Sequence, residues 1–217
     1  MKIKYFGHSA VLLMGSKNVI IDPFLTGNPF YKEGSLTEKI DFVVITHDHG
    51  DHLGDGYEIA KKNNAVVVAQ HEIAVEAQGK GLEAEGMNIG GGVERDGIVF
   101  YFTNAVHSSG IGHPMGAIIK MDGKTIYHAG DTGLFMDMQI IGDYFRPDLA
   151  FIPIGGRYTM DEEQAAYAVK KLLKVEKVIP IHYKTFPLIP GEPERFKELV
   201  GDAAEVIILQ PGGVYEL

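Results

Sequence analysis

Three histidines and two aspartates fall within six consecutive residues, His47-Asp48-His49-Gly50-Asp51-His52. Imidazole nitrogens and carboxylate oxygens are the donors that hold borderline divalent cations. With 9 histidines and 13 aspartates among 217 residues, an H-x-H-x-D-H pattern arises by chance on the order of once in a thousand such chains. The segment reads as a metal site. Cysteine is absent, so thiolate ligation, Fe–S clusters and disulfides are excluded and any ion must be held by histidine, carboxylate or water.

A donor cluster is useful only where rigid elements hold it. Phe42-Val43-Val44-Ile45 directly precedes the cluster and reads as a buried strand, so the donors stand on a strand end, where α/β folds place their chemistry. Four more donors follow apolar runs in the same way. His8 follows the strand Lys2 to Phe6, His107 the strand Ile98–Asn104, Asp131 the strand Thr125–His128, and His182 the strand Val178–Ile181. Further strands are expected at Ala10 to Met14, Val19 to Ile21, Ala65–Ala69, Met115–Met121, Leu149 to Ile154 and Val206–Leu209. Helices are expected over Asp55 to Asn63, Glu72 to Gln78, Leu134 to Tyr144 and Pro193–Val200. Thr159-Met160-Asp161-Glu162 reads as a capping box that opens another helix. Pro23 to Lys39 keeps no period and is expected to be an ordered loop, either a lid or a cover over the core. Strands come first and strand–helix units follow in both halves, which hints at a duplicated unit without a residue-level repeat.

The length suits one domain or two fused half-units. Apolar residues make up 45 % and charged residues 23 %, an ordinary globular composition. The net charge of −9 does not favour a nucleic-acid partner. No apolar run approaches the ~18 residues of a membrane span, and neither a leader nor a membrane partner is expected. With no cysteine to oxidise, a cytoplasmic location is expected.

The HDHGDH motif with later His107, Asp131 and His182 resembles the metallo-β-lactamase superfamily over nearly the whole chain. Gly7-His8-Ser9, His128-Ala129-Gly130-Asp131-Thr132-Gly133, the stretch from Pro153 to Met160 and Ile181-His182-Tyr183 resemble its small metal-dependent hydrolases, a subgroup similar to ascorbate-6-phosphate lactonase. The resemblance implies one metallo-hydrolase domain over residues 1–217, an α/β fold of four αββα layers, with two divalent ions at the edge of its two sheets. His47, His49 and His107 would hold one ion, and Asp51, His52 and His182 the other, with Asp131 between them. Zn is the default, and Mn, Ni, Fe and Co suit the same donors. His8 is either a further ligand on the three-histidine ion or a residue that orients a ligand. Di-iron oxygen- or nitric-oxide-reducing members carry glutamate at position 49, so His49 favours hydrolysis.

The implied reaction is attack by a metal-bridging hydroxide on a small-molecule ester, lactone or phosphorylated substrate, with Asp51 and Asp131 as catalytic carboxylates. Phosphodiester cleavage of a cyclic nucleotide or RNA is the alternative, and a non-catalytic metal-dependent sensor the alternative of another class. Thr132, Arg157, Tyr158 and Lys184 follow strand ends on the ligand side and are candidates to touch substrate. His71 is expected to open a helix away from the site, His113 to sit in a glycine-rich loop that could touch substrate, and His128 to be either a buried partner of a ligand or catalytic.

Overall fold

The structure, a computed structural model describing residues 1–217, divides into two compact units. The first comprises Met1–Gly91, Ser108–Pro114 and Leu209–Leu217, and the second Gly92–His107 and Met115–Ile208.

The first unit is one seven-stranded sheet with helices packed on it. Its strands are β1 (Lys2–Gly7), β2 (Ala10–Met14), β3 (Asn18–Ile21), β4 (Phe42–Ile45), β5 (Val66–Gln70) and β6 (Ala84–Met87). The chain's last strand, β14 (Val214–Glu216), joins them, in the order β14-β1-β2-β3-β4-β5-β6. The ladders from β14 to β3 are antiparallel and those from β3 to β6 parallel. β4 is apolar at every position because it is paired on both edges and buried on both faces. Helices α1 (Gly50–Leu53), α2 (Gly56–Asn63) and α3 (His71–Gly79) belong to this unit. Phe6, Leu12, Ile20, Val43, Ile45 and Ile73 are among the residues that form its core.

The second unit repeats that plan. Its strands are β7 (Val93–Arg95), β8 (Ile98–Asn104), β9 (Met115–Met121), β10 (Lys124–His128), β11 (Leu149–Pro153), β12 (Lys177–Ile181) and β13 (Glu205–Val206), hydrogen-bonded in chain order. The ladders from β7 to β10 are antiparallel and those from β10 to β13 parallel. Both sheets therefore run three antiparallel ladders into three parallel ones. The hint of duplication is thus matched in topology, although no residue-level repeat is visible. Helices α4 (Met138–Phe145), α5 (Glu162–Tyr167, continued by a π-helical segment Ala168–Leu173) and α6 (Pro193–Val200) complete the unit over a core that includes Ile118, Tyr127, Ile152, Leu172 and Phe196.

Three departures from the sequence expectation share a cause. β6, β7 and β14 are absent from it, and all three are edge strands with polar or glycine residues. An edge strand is paired on one side only, so its sequence carries little of the apolar signal. β13 is also an edge strand and ends at Val206 instead of continuing to Leu209. The capping residue of α5 is Asp161, whose carboxylate accepts the Gln164 amide at 2.8 Å, and not Thr159. The α4 helix begins at Met138, later than the apolar pattern from Leu134 suggests.

The loop between β3 and β4 is a fixed cover. Leu25 and Asn28 are buried, and the Asp55 carboxylate accepts the amides of Leu25 and Thr26 at 2.9 and 2.7 Å. Gly54, at φ +44°, lets α1 abut this loop, because a Cβ there would lie 2.6 Å from the Pro23 carbonyl oxygen.

Candidate metal centre

In the first unit the donors gather at the ends of β1, β3 and β4. The ligand atoms of His8, Asp51 and His52 all lie within 4.8 Å of one another. His8 Nε2 is 3.2 Å from Asp51 Oδ2, and its ring stands edge-on to His52 and to Phe24, with centroids 5.6 Å away in each case. His47 Nε2 is 3.0 Å from His49 Nδ1. In this unit His8 thus stands with Asp51 and His52, its ring packed against His52 and Phe24.

A residue outside the motif sets the histidine tautomers. Asp22, directly after β3, is buried and accepts from the Thr46 amide (2.8 Å), the Thr46 hydroxyl (2.7 Å) and His52 Nδ1 (2.7 Å). His52 therefore carries its proton on Nδ1 and its lone pair on Nε2. The Thr46 hydroxyl, having given its proton to Asp22, accepts from His47 Nδ1 at 3.0 Å, so the His47 lone pair is also on Nε2. Such partners orient metal-binding imidazoles and raise their basicity. Sequence reasoning missed Asp22; the available signal was a carboxylate ending an apolar strand just before Pro23.

Asp48 has a different task. Its carboxylate accepts the Ser109 hydroxyl at 2.7 Å and the amides of Gly110 and Ile111 at 2.7 and 2.9 Å. Burial pushes this carboxyl up, and the hydrogen bonds from Ser109, Gly110 and Ile111 outweigh it, so its pKa lies below the ordinary carboxylate value. Asp48 ties the metal-motif loop to the segment Ser108–Pro114.

In the second unit the loops after β8, β10 and β12 bring His107, Asp131 and His182 together. Asp131 Oδ2 lies 3.0 Å from His182 Nε2 and 3.5 Å from His107 Nε2. His107 Nδ1 donates to the Tyr158 carbonyl at 3.1 Å, which again leaves the lone pair on Nε2. Gly155 permits the close packing behind His182: a Cβ there would be 2.2 Å from the His182 carbonyl oxygen. His128 is buried and its Nδ1 accepts the Gly130 amide at 3.2 Å, holding the turn that presents Asp131. Burial, with Glu194 adding to it, pushes the Tyr183 phenol up to about 12, so it stays neutral.

The candidate substrate contacts divide. The Thr132 hydroxyl accepts the Val106 amide at 3.0 Å and donates to the Gly133 carbonyl at 2.7 Å, so it is spent on backbone, and the residue is buried. Lys184 pairs with Glu192 at 2.5 Å. Arg157 lies over the exposed Tyr158 ring, 5.4 Å from its centroid. His71 opens α3, and both it and His113 are exposed.

Backbone conformation marks the same places. His8, Asp22 and His182 have φ of +56°, +45° and +55°. A left-handed backbone at a non-glycine residue costs roughly 1–3 kcal/mol and persists where surrounding structure enforces it, commonly at functional sites.

The donor chemistry of each unit fits divalent metal. His8, His47, His52, Asp131 and His182 are all buried, and clustering such groups away from water is costly unless a cation compensates them. Imidazoles and carboxylates without thiolates suit Zn, Mn, Fe, Co and Ni alike.

Comparison with known proteins agrees. Residues 17–183 match the family described as "Beta-lactamase superfamily domain". A "UPF0173 metal-dependent hydrolase" of Korarchaeum cryptofilum (strain OPF8) is 48 % identical over the full length of both chains, and one of Pelotomaculum thermopropionicum is also 48 % identical over both full lengths. The solved structure of Igni18, a metallo hydrolase from Ignicoccus hospitalis KIN4/I, superposes with a TM-score of 0.94 at 46 % identity, covering 100 % of this chain and 98 % of the other. A di-iron β-hydroxylase from Streptomyces venezuelae, CmlA, shares the fold at a TM-score of 0.78 and only 14 % identity, over 54 % of its own length. The chain belongs to the beta-lactamase superfamily, among its metal-dependent hydrolases.

Proposed function

We propose that this metal-dependent hydrolase works with two divalent ions on a small-molecule ester, lactone or phosphorylated substrate. His47, His49 and His107 would hold one ion; Asp51, His52, His182 and His8 would hold the other; Asp131 would serve both. When bound, the ions supply an acidified water and positive charge for the oxyanion that develops during attack. The chain's own groups do the rest. Asp22 keeps the His52 proton on Nδ1 and, through Thr46, that of His47 as well, while the Tyr158 carbonyl does the same for His107. Asp51 stands at the start of α1, hydrogen-bonded to His8, where a carboxylate can accept a proton and pass it on.

The observation that carries this reading is Asp131: a buried carboxylate 3.0 Å from one imidazole and 3.5 Å from another, where a shared anion would offset the repulsion of neighbouring cations. Asp131→Ala should abolish turnover of an ester and lactone panel and lower metal content per chain, with circular dichroism unchanged. Undiminished hydrolysis by a folded variant would sink the mechanism. We take the site of action to be the cytoplasm and the partner to be the small molecule alone; no helix is long and apolar enough to cross a membrane.

A further inference from the structure

The three most exposed large apolar or aromatic side chains of the protein stand on one helix. Tyr144, Met136 and Ile140 are 72 %, 66 % and 62 % exposed. They recur every four residues, along α4 and the turn that leads into it. Such a row is the ridge by which one helix packs against another. Exposed apolar residues scattered singly need no explanation, but a contiguous row marks a surface that another molecule covers.

The row is not needed for the packing of the helix within its own unit. α4 already buries Met138, Ile141 and Gly142. Gly142 seats it closely, because a Cβ there would lie 2.3 Å from the Leu173 carbonyl oxygen. A helix that is apolar on its outer as well as its inner face is ordinarily buried on both.

The charges at its two ends identify what covers it. Asp137, at the start, is exposed and its carboxylate caps no amide. Arg146, at the end, is exposed and makes one contact, from Nε to the Asp143 carbonyl at 3.4 Å. Asp143, between them, is matched by Lys174 at 3.8 Å. The helix thus offers an uncommitted anion at one end of the apolar row and an uncommitted cation at the other. A two-fold axis across such a surface makes it complementary to itself. Ile140 then meets the partner's Ile140, Met136 meets the partner's Tyr144, and Asp137 comes within reach of the partner's Arg146. A helix that lies on a membrane carries lysines and arginines beside its apolar face, and here Asp137 and Asp143 stand there instead.

We propose that this face binds a second copy of the chain, α4 against α4 in antiparallel pairing about a two-fold axis. The reaction asks for no partner beyond its small molecule; this face sets the oligomeric state.

Sedimentation velocity on the metal-loaded full chain, over about 1–200 μM, reads the association directly. A face of this size predicts a reversible dimer with a dissociation constant on the order of micromolar. Ile140→Glu sets two carboxylates against each other on the axis and should weaken the dimer at least about tenfold, with circular dichroism unchanged. Asp137→Arg and Arg146→Asp should each weaken it about tenfold, since each places like charges opposite one another twice per dimer. Aspartate tolerates the left-handed backbone of position 146, at φ +48°. The double reversal should restore the constant to within about threefold. A chain that stays monomeric throughout overturns the proposal, whatever other molecule then covers the face. An assembly indifferent to Ile140→Glu overturns it as well, because it uses another surface. A dimer lost in Ile140→Glu but not rescued by the double reversal overturns the antiparallel pairing.

Discussion

Asp22 gathers three donors on one buried carboxylate, and through them it decides which nitrogen of His47 and of His52 can face a cation. Asparagine also tolerates the left-handed backbone that this position requires, so Asp22→Asn changes the chemistry without forcing the chain elsewhere. It loses the charge and one acceptor, and its amide can no longer take the imidazole proton on that side. Metal affinity should fall about 10- to 100-fold, read by competition with a chromogenic chelator, while the thermal unfolding of the metal-free chain shifts little. Affinity equal to that of the unaltered protein would show that Asp22 does not set the tautomer. His8 illustrates the same level of detail: its grouping with Asp51 and His52 follows from ring contacts with His52 and Phe24 that no spacing rule reveals.

Loops become parts of a site when specific bonds hold them. The segment Ser108–Pro114 is anchored by one carboxylate, that of Asp48, through a hydroxyl and two amides. A hydrogen bond to a charged group contributes about 1.5–3 kcal/mol, so Asp48→Ala should speed hydrogen exchange at the Gly110 and Ile111 amides about 10- to 100-fold. Exchange unchanged at those amides would mean that other contacts hold the segment. The cover loop has an acid-sensitive tie of its own. Burial pushes the Glu38 carboxyl up, but hydrogen bonds from Lys4 and from the Thr37 and Glu38 amides prevail and its pKa lies below 4.5. A lowered carboxylate pKa stabilises the fold above the unfolded value and is lost as pH falls through the folded one. Urea titrations of the metal-free chain should therefore show Glu38→Gln narrowing its stability deficit against the unaltered protein as pH falls below about 4.5. A deficit that is constant with pH would remove Glu38 from that account.

At the scale of the whole molecule, the chain holds two units of like topology, and of the eight proposed donors the first carries five and the second three. Ions bound only by the folded state stabilise it by mass action, about 2.7 kcal/mol at a free concentration a hundred times the dissociation constant. Removing metal with a chelator should therefore lower the melting temperature by several degrees, and refilling should restore it with two ions per chain by elemental analysis. A melting curve indifferent to metal, or a stoichiometry that never exceeds one, would refute the paired-ion reading. The net charge of −9 also shapes behaviour at this scale, since its field opposes close approach of long polyanions and leaves small neutral molecules unaffected.

By itself the sequence determined the donor types and the strands that carry them. Phe42–Ile45 and the motif after it, Ile98–Asn104 before His107, and the apolar runs before Asp131 and His182 are local patterns, readable because strand burial and ligand chemistry are written in neighbouring residues. Tertiary structure decided what depends on partners distant in the chain: Asp22 reaching His52 across 30 residues, Asp48 reaching Ser109 across 61, and His8 turning to Asp51. The short edge strands β6, β7 and β14 belong to the same class, since each exists through the strand it pairs with. Hydrogen-bond partners and strand pairing are fixed by register and packing between segments, and no single stretch of sequence holds that information.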